Sequence, residues 1–210
     1  MNDTEKIRRR YDRASKVYDI FEKPMEVMSL KKWRLEITKD LKGKVLEVGV
    51  GTGKNIPYYS DDLDITAIDF SDMMLSKARE KAQIYRKNVE LIQMDAQDME
   101  FPDNTFDMVF TTCVFCSVPN PIKGLKEIRR VCKPNGKIIM IEHVRSERKI
   151  LGLIMDIFNP LTVNLYGANI NRQTVENVHY AGFSKVEVTN LTGDIVKKII
   201  IINEKTPCNL

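Results

Sequence analysis

The run Val45-Leu-Glu-Val-Gly-Val-Gly-Thr-Gly-Lys-Asn55 places three glycines within five positions behind an alternating apolar stretch, with Glu47 inside that stretch and Lys54 after the last glycine. A main chain this bare lets a ligand approach closely. Aligned on Gly53 and Lys54, a Walker phosphate loop would need glycine at Val48 and a hydroxyl residue at Asn55, so it fails twice. The dinucleotide fingerprint GxGxxG aligns on Gly49 and Gly51 but puts Lys54 where a third glycine should let helix and strand pack, which disfavours NAD. What remains is an acidic residue followed by GxGxG: Glu47, Gly49, Gly51 and Gly53.

Other groups able to do chemistry fall where strands end. Asp69 closes a second apolar run, 20 residues after Gly49, where a carboxylate can accept both hydroxyls of a ribose. That points to a nucleoside without naming it, with Phe70 and Met74 just beyond. His143, one of two histidines, ends a fifth strand beside Glu142; adjacent strand residues face opposite ways, so only one of the pair can point into a site. His143 is the candidate proton acceptor, and His179, on a distal helix, is read as structural. Cys113 and Cys116 form a CxxC, but no second CxxC or histidine pair accompanies it, so no metal site is predicted and the pair reads as buried thiols, with Cys116 bordering the substrate.

The elements that must position these groups alternate. Strand runs at Lys44–Gly49, "LDITAID", "VELIQM", "TFDMVFTTCVF" and "KIIMIEHV" are separated by helical patterns, the order of an open, doubly wound α/β sheet. Ser71 is placed to cap a helix burying Met74, Leu75, Ala78, Ala82 and Tyr85. Asn120 caps another that starts at Pro121 and turns Ile122, Leu125, Ile128 and Val131 to one face. After a helix near 172–180, "FSKVEVTN" and "IVKKIIIINE" are joined by only Leu191–Asp194, which forces antiparallel pairing.

Taken together, the acidic-x-GxGxG loop resembles motif I of the class I S-adenosylmethionine (SAM) methyltransferases, and the similarity extends from about Tyr11 to Phe183. The resemblance implies a Rossmann-like seven-stranded sheet, mostly parallel with the last strand inserted antiparallel, and SAM as cofactor. It implies that Glu47, Gly49, Gly51, Gly53, Asp69, Phe70, Met74 and Thr112 border the cofactor, and that Asp95 and Ala96 in "MDAQDMEFP" read the adenine edge. "YDRASKVYDIFE" is similar to the N-terminal segment of methyltransferases acting on quinone precursors, phospholipid head groups and other small molecules; there Tyr11 and Tyr18 would line the site, Tyr18 near the chemistry. "FCSVPNPIKGLKEIRRVCKPNGKIIMIEH" is most similar to the phospholipid and membrane-associated thiol methyltransferases, and implies that Thr112–Ser117 faces the methyl group. Nucleic-acid amino-methyltransferases carry [DNS]PP[YF] there; "TTCVFCSV" disfavours nucleic acid as substrate.

On this reading the 210 residues form one domain: a helical cap at 1–42, the SAM-binding core at 43–145, a substrate-covering segment at 146–182 and closing strands at 183–204. The acceptor is a small molecule, in one version apolar or membrane-borne: a phospholipid amine, a quinol or a thiol. The alternative is a catalytically silent SAM-binding regulatory or partner subunit. The net charge of +4 is mild, but Lys6, Arg8, Arg9, Arg10, Arg13 and Lys16 crowd the first segment, either as a solvated face or as a contact for an anionic membrane surface. Ile150–Phe158 is too apolar all round for an ordinary surface helix; it either packs in the core or covers an apolar acceptor or membrane. The charged start and the lack of ~18 uninterrupted apolar residues predict a cytoplasmic protein, peripheral at a membrane if bound to one.

Overall fold

β1 (Lys44–Val48) is buried on both faces because helices cover the sheet on each side, as parallel strands require. In the computed structural model, which describes residues 30–205 apart from the Tyr166 side chain, α1 (Lys31–Lys39) precedes it. β2 (Asp64–Asp69), α2 (Asp72–Ile84), β3 (Glu90–Gln93), β4 (Phe106–Thr112), α3 (Pro121–Val131) and β5 (Cys132–His143) follow. α4 (Lys149–Tyr166), α5 (Thr174–Tyr180), β6 (Lys185–Thr192) and β7 (Val196–Ile202) complete the chain. Tyr11, Tyr18, the basic first segment and Cys208 lie outside the described residues.

The seven strands are ordered β3-β2-β1-β4-β5-β7-β6. All pairings are parallel except those of β7, which runs antiparallel between β5 and β6. The expected topology is therefore present, with the reversed strand inserted and not at the edge. One sheet face packs Leu46, Val109, Ile138, Met140 and Ile199 against Leu125 and Ile128 of α3; the other packs Val45, Ile65, Phe110, Ile139 and Ile141 against α1 and α2.

Local signals act as expected at the helix starts. The Ser71 hydroxyl accepts from Met74 N at 3.2 Å and the Asn120 carbonyl from Lys123 N at 3.0 Å. Four details differ. Tyr85 is half exposed and Ala82 only partly buried, because α2 ends at Ile84 and Tyr85 has left the packed face. β4 stops at Thr112: Cys113 takes φ +56°, which turns the chain off the sheet before the apolar run ends. β5 opens before its expected start, with a register shift where Phe106 pairs Cys132 and Met108 pairs Lys137, so the Lys133–Gly136 turn forms a bulge within it. The segment at 150–158 is neither core nor ordinary surface: it begins an 18-residue helix whose apolar side chains, buried Met155 apart, face outward.

Candidate functional site

Parallel strands bring β1, β2, β3 and β4 to finish on one sheet edge, and their ends assemble the groups picked out by sequence. The glycine loop leaves β1 with Gly49, Gly51 and Gly53 all at positive φ. Each glycine answers a different neighbour. A Cβ on Gly49 would lie 2.5 Å from Val114 Cγ2, so Gly49 lets the loop after β4 close in; one on Gly53 would lie 3.0 Å from Ala78 Cα, so Gly53 lets α2 approach. A Cβ on Gly51 meets nothing within 4 Å. That open, backbone-lined face is where the loop can receive a ligand.

Asp69 locks the loop. Its carboxylate accepts from Gly51 N at 2.9 Å and from Ser71 N at 3.0 Å, so it joins the glycine turn to the start of α2 while sitting at the end of β2. Phe70 follows with its carbonyl held by Gln93 Nε2, and Met74 is buried in the first turn of α2. Beyond β3, Asp95 is braced within its own turn: Gln97 donates to it from backbone and side chain, and the Gln97 carbonyl accepts from Asn120 N at 2.8 Å. Ala96 packs beside it, its carbonyl 3.5 Å from the place a Gly124 Cβ would take.

Beneath the loop lies a polar layer that joins Glu47 and Thr112, both picked out by sequence, to Asn55, Tyr59 and Arg34, which sequence reading missed. Glu47 is fully buried and accepts from Asn55 Nδ2 at 2.6 Å and from the Tyr59 hydroxyl. Asn55 Nδ2 also reaches Thr112 Oγ1 at 3.2 Å, and its carbonyl accepts from Arg34 Nη1 of α1 at 2.8 Å. Burial pushes the Glu47 carboxyl up to about 7, against the opposing pull of Asn55 and Arg34. Glu47 is thus walled off by protein; it anchors the loop from below. The only sequence signal for Asn55 was its position after Lys54, where it had served merely to reject a Walker loop.

Glu142 and His143 face opposite ways, as alternation requires. Glu142 is fully buried, accepting from Thr111 Oγ1 at 2.6 Å and from Val114 N and Phe115 N at 3.1 Å each. It therefore fixes the loop following β4. Burial pushes it up to about 7. His143 shares its face with Ile139 and Ile141, is half-buried, and has its imidazole pKa lowered by that burial. Cys116 is buried, its thiol pushed up to about 12 by burial first and by Glu142 second, so it carries no thiolate at neutral pH. His179 reaches only the Phe183 carbonyl, at 3.3 Å, away from this edge.

The fold is the one that class I SAM-dependent methyltransferases share, and the open face over Gly51 beside two strand-end carboxylates suits an adenosyl amino acid. Comparison with known proteins agrees. Residues 46–140 match the family model described as a methyltransferase domain. A phosphatidylethanolamine N-methyltransferase from Cereibacter sphaeroides is 41% identical over 114 residues, a match spanning 53% of this chain and only 56% of that relative. A demethylmenaquinone methyltransferase from Staphylococcus aureus is 29% identical across 96% of this chain and 94% of its own length. Among solved structures, a SAM-dependent methyltransferase from Thermotoga maritima superposes with a TM-score of 0.71 at 19% identity, covering 94% of this chain and 100% of that one.

Proposed function

We propose that the chain moves a methyl group by in-line displacement to an apolar or membrane-borne acceptor: a phospholipid amine, a quinol or a hydrophobic thiol. The observation that supports this acceptor class is the orientation of α4. Ile150, Leu153, Ile154, Ile157, Phe158, Leu161 and Leu165 are exposed, Ile150 at 78% and Ile157 at 65%. The opposite stripe is mostly small or polar: Gly152, Asp156, Asn159 and Thr162, with Met155 as its buried apolar residue and Val163 half-buried.

A surface helix ordinarily has the reverse arrangement. Here polar contacts hold the inner stripe in place. Asp156 takes a forked pair of hydrogen bonds from Arg145, at 3.0 and 2.7 Å, and Asn159 accepts from Ile170 N at 2.9 Å. The segment after α4 is pinned to the loop following β4, with Asn169 N donating to the Cys116 carbonyl at 2.8 Å. An apolar helix face beside that loop is a surface that an acyl chain, an isoprenoid tail or a bilayer interface would cover. The names of the two relatives carry a phospholipid amine and a quinone, consistent with this class. No described helix is long and apolar enough to cross a membrane.

When bound, SAM supplies a methyl already activated on a sulfonium; the residues of the chain have to orient the partners and exclude water, which can contribute roughly 7–11 kcal/mol. Gly51 and Asp69 set the cofactor loop, Asp95 and Ala96 border the adenine side, and Glu142 holds the loop nearest the acceptor. Residues 146–182 cover the acceptor. His143, kept neutral by burial, takes the proton of an acceptor that arrives protonated.

The test is transfer from methyl-labelled SAM to vesicles containing phosphatidylethanolamine, to a reduced quinone and to a hydrophobic thiol, with Asp69→Ala as control. Labelled product in one arm, absent in the variant, is expected. No product in any arm while S-adenosylhomocysteine still binds would instead favour the silent-subunit reading.

A further inference from the structure

Next to the same sheet edge, on the side of β5 and β7 away from the glycine loop, a cavity of about 100 Å³ opens between the chain following β5, the start of α5 and Lys197 of β7. One water needs roughly 10–15 Å³, so a phosphate-sized anion fits. Its charged lining is unevenly matched. Lys197 is paired with Glu147, and Arg145 is taken by Asp156. Arg172 has no carboxylate partner among the described residues. Its Nη2 donates to the Val118 carbonyl at 2.7 Å, but its Nε is buried with no acceptor. Thr174, 1% exposed and also lining the cavity, has a buried hydroxyl with no partner among the described residues.

Arg172 is a half-buried cation without a counter-charge, its buried Nε unpaired and a second unmatched donor beside it, an arrangement that an anion would complete. Burial lowers the Arg172 pKa, the direction expected of a guanidinium missing its counter-ion. The surroundings connect this cavity to the acceptor side. Through Val118, Arg172 holds the end of the loop that follows β4; its carbonyl accepts from Arg145 N at 2.8 Å, and Arg145 in turn holds α4.

We propose that the Arg172–Thr174 cavity is an anion subsite that receives the phosphodiester of an amphiphilic acceptor, whose apolar part lies along the outward face of α4. Arg172 offers a planar, permanently charged donor set suited to phosphate oxygens, and Thr174 adds a hydroxyl. Glu176, exposed on the cavity wall, is the acidic group that opposes an incoming anion. This inference rests on the proposed lipid class of acceptor and narrows it: a phospholipid amine satisfies the subsite, whereas a quinol or simple thiol does not.

The experiment is calorimetric titration of the purified protein with glycerophosphoethanolamine, with inorganic phosphate and, separately, with S-adenosylhomocysteine. The variants are Arg172→Gln, Thr174→Val and Glu176→Gln. The expected result is phosphodiester binding weakened at least tenfold in Arg172→Gln, weakened less in Thr174→Val and strengthened in Glu176→Gln. Affinity for S-adenosylhomocysteine should not change, which separates loss of the subsite from misfolding and from failure of the methyltransferase reading. Binding of phosphate but not of the phosphodiester would overturn the headgroup assignment and leave a site for free phosphate. Binding of neither by the wild type, or equal binding by wild type and Arg172→Gln, would overturn the subsite itself.

Discussion

Asn55 Nδ2 lies 2.6 Å from Glu47 Oε1, both residues are buried, and that hydrogen bond ties the chain after the glycine loop to the strand before it. The Asn55 side chain also reaches Thr112 and Arg34, so one amide joins β1, β4 and α1 beneath the cofactor loop. Asn55→Ala strips a buried carboxylate of its principal partner and should cost about 2–3 kcal/mol, more than a surface deletion. Urea unfolding of the variant measures this, and a loss below that of a surface asparagine would show that the layer does not anchor the loop.

Gly51 and Gly53 should separate ligand binding from folding. A methyl at Gly53 meets Ile56 Cδ1 at 2.6 Å and the α2 backbone at 3.0 Å, so Gly53→Ala is expected to unfold at markedly lower denaturant. At Gly51 the methyl meets no protein atom, and the strain of positive φ costs about 1–2 kcal/mol. Gly51→Ala should therefore keep most of its stability and lose affinity for S-adenosylhomocysteine, because the methyl occupies the ligand's side. Equal losses of stability in the two variants would contradict this division.

Glu142 gives a pH prediction with a definite sign. Its folded-state pKa, about 7, lies above the ordinary 4.5, so the folded protein binds the extra proton between those values. Its contribution to stability is full below pH 4.5 and is lost as pH rises through 7, by roughly 3 kcal/mol in all. The stability of wild type relative to Glu142→Gln should accordingly fall between pH 5 and pH 8. Unfolding curves at several pH values check it; a difference that rises with pH would show that the three donors to the carboxylate outweigh burial.

His143→Ala should lower kcat by roughly 10²–10⁴ for an acceptor that arrives protonated. Affinity for S-adenosylhomocysteine should stay as it is. For an acceptor that arrives already deprotonated the effect on kcat should vanish, so running both kinds of acceptor separates proton acceptance from support of the β5 end.

The order of strands and helices along the chain could be read from sequence because its signals are local or periodic. Glycine spacing, a cap such as Ser71, and a carboxylate closing an apolar run each act through neighbours a few residues away. The elements read poorly were those set by contacts far apart in sequence. The run 105–115 is apolar apart from Asp107 and three threonines, and nothing within it announces that Cys113 turns off the sheet; Glu142, 29 residues on, captures the Val114 and Phe115 amides and makes that turn stable.

The same distinction divides the chain as a whole. Sequence by itself determined the α/β order and the antiparallel pairing of the last two strands, through apolar runs and a tight link; the inserted strand and the SAM-type loop are what its resemblance to the class I methyltransferases implied. Tertiary structure alone decided that Glu47 lies beneath the loop, that α4 turns its apolar stripe outward, and that Arg172 meets Thr174 around a cavity. Each of those depends on which groups from distant segments satisfy a buried donor or acceptor, and Arg145 holding Asp156 is what points the apolar side of α4 toward solvent.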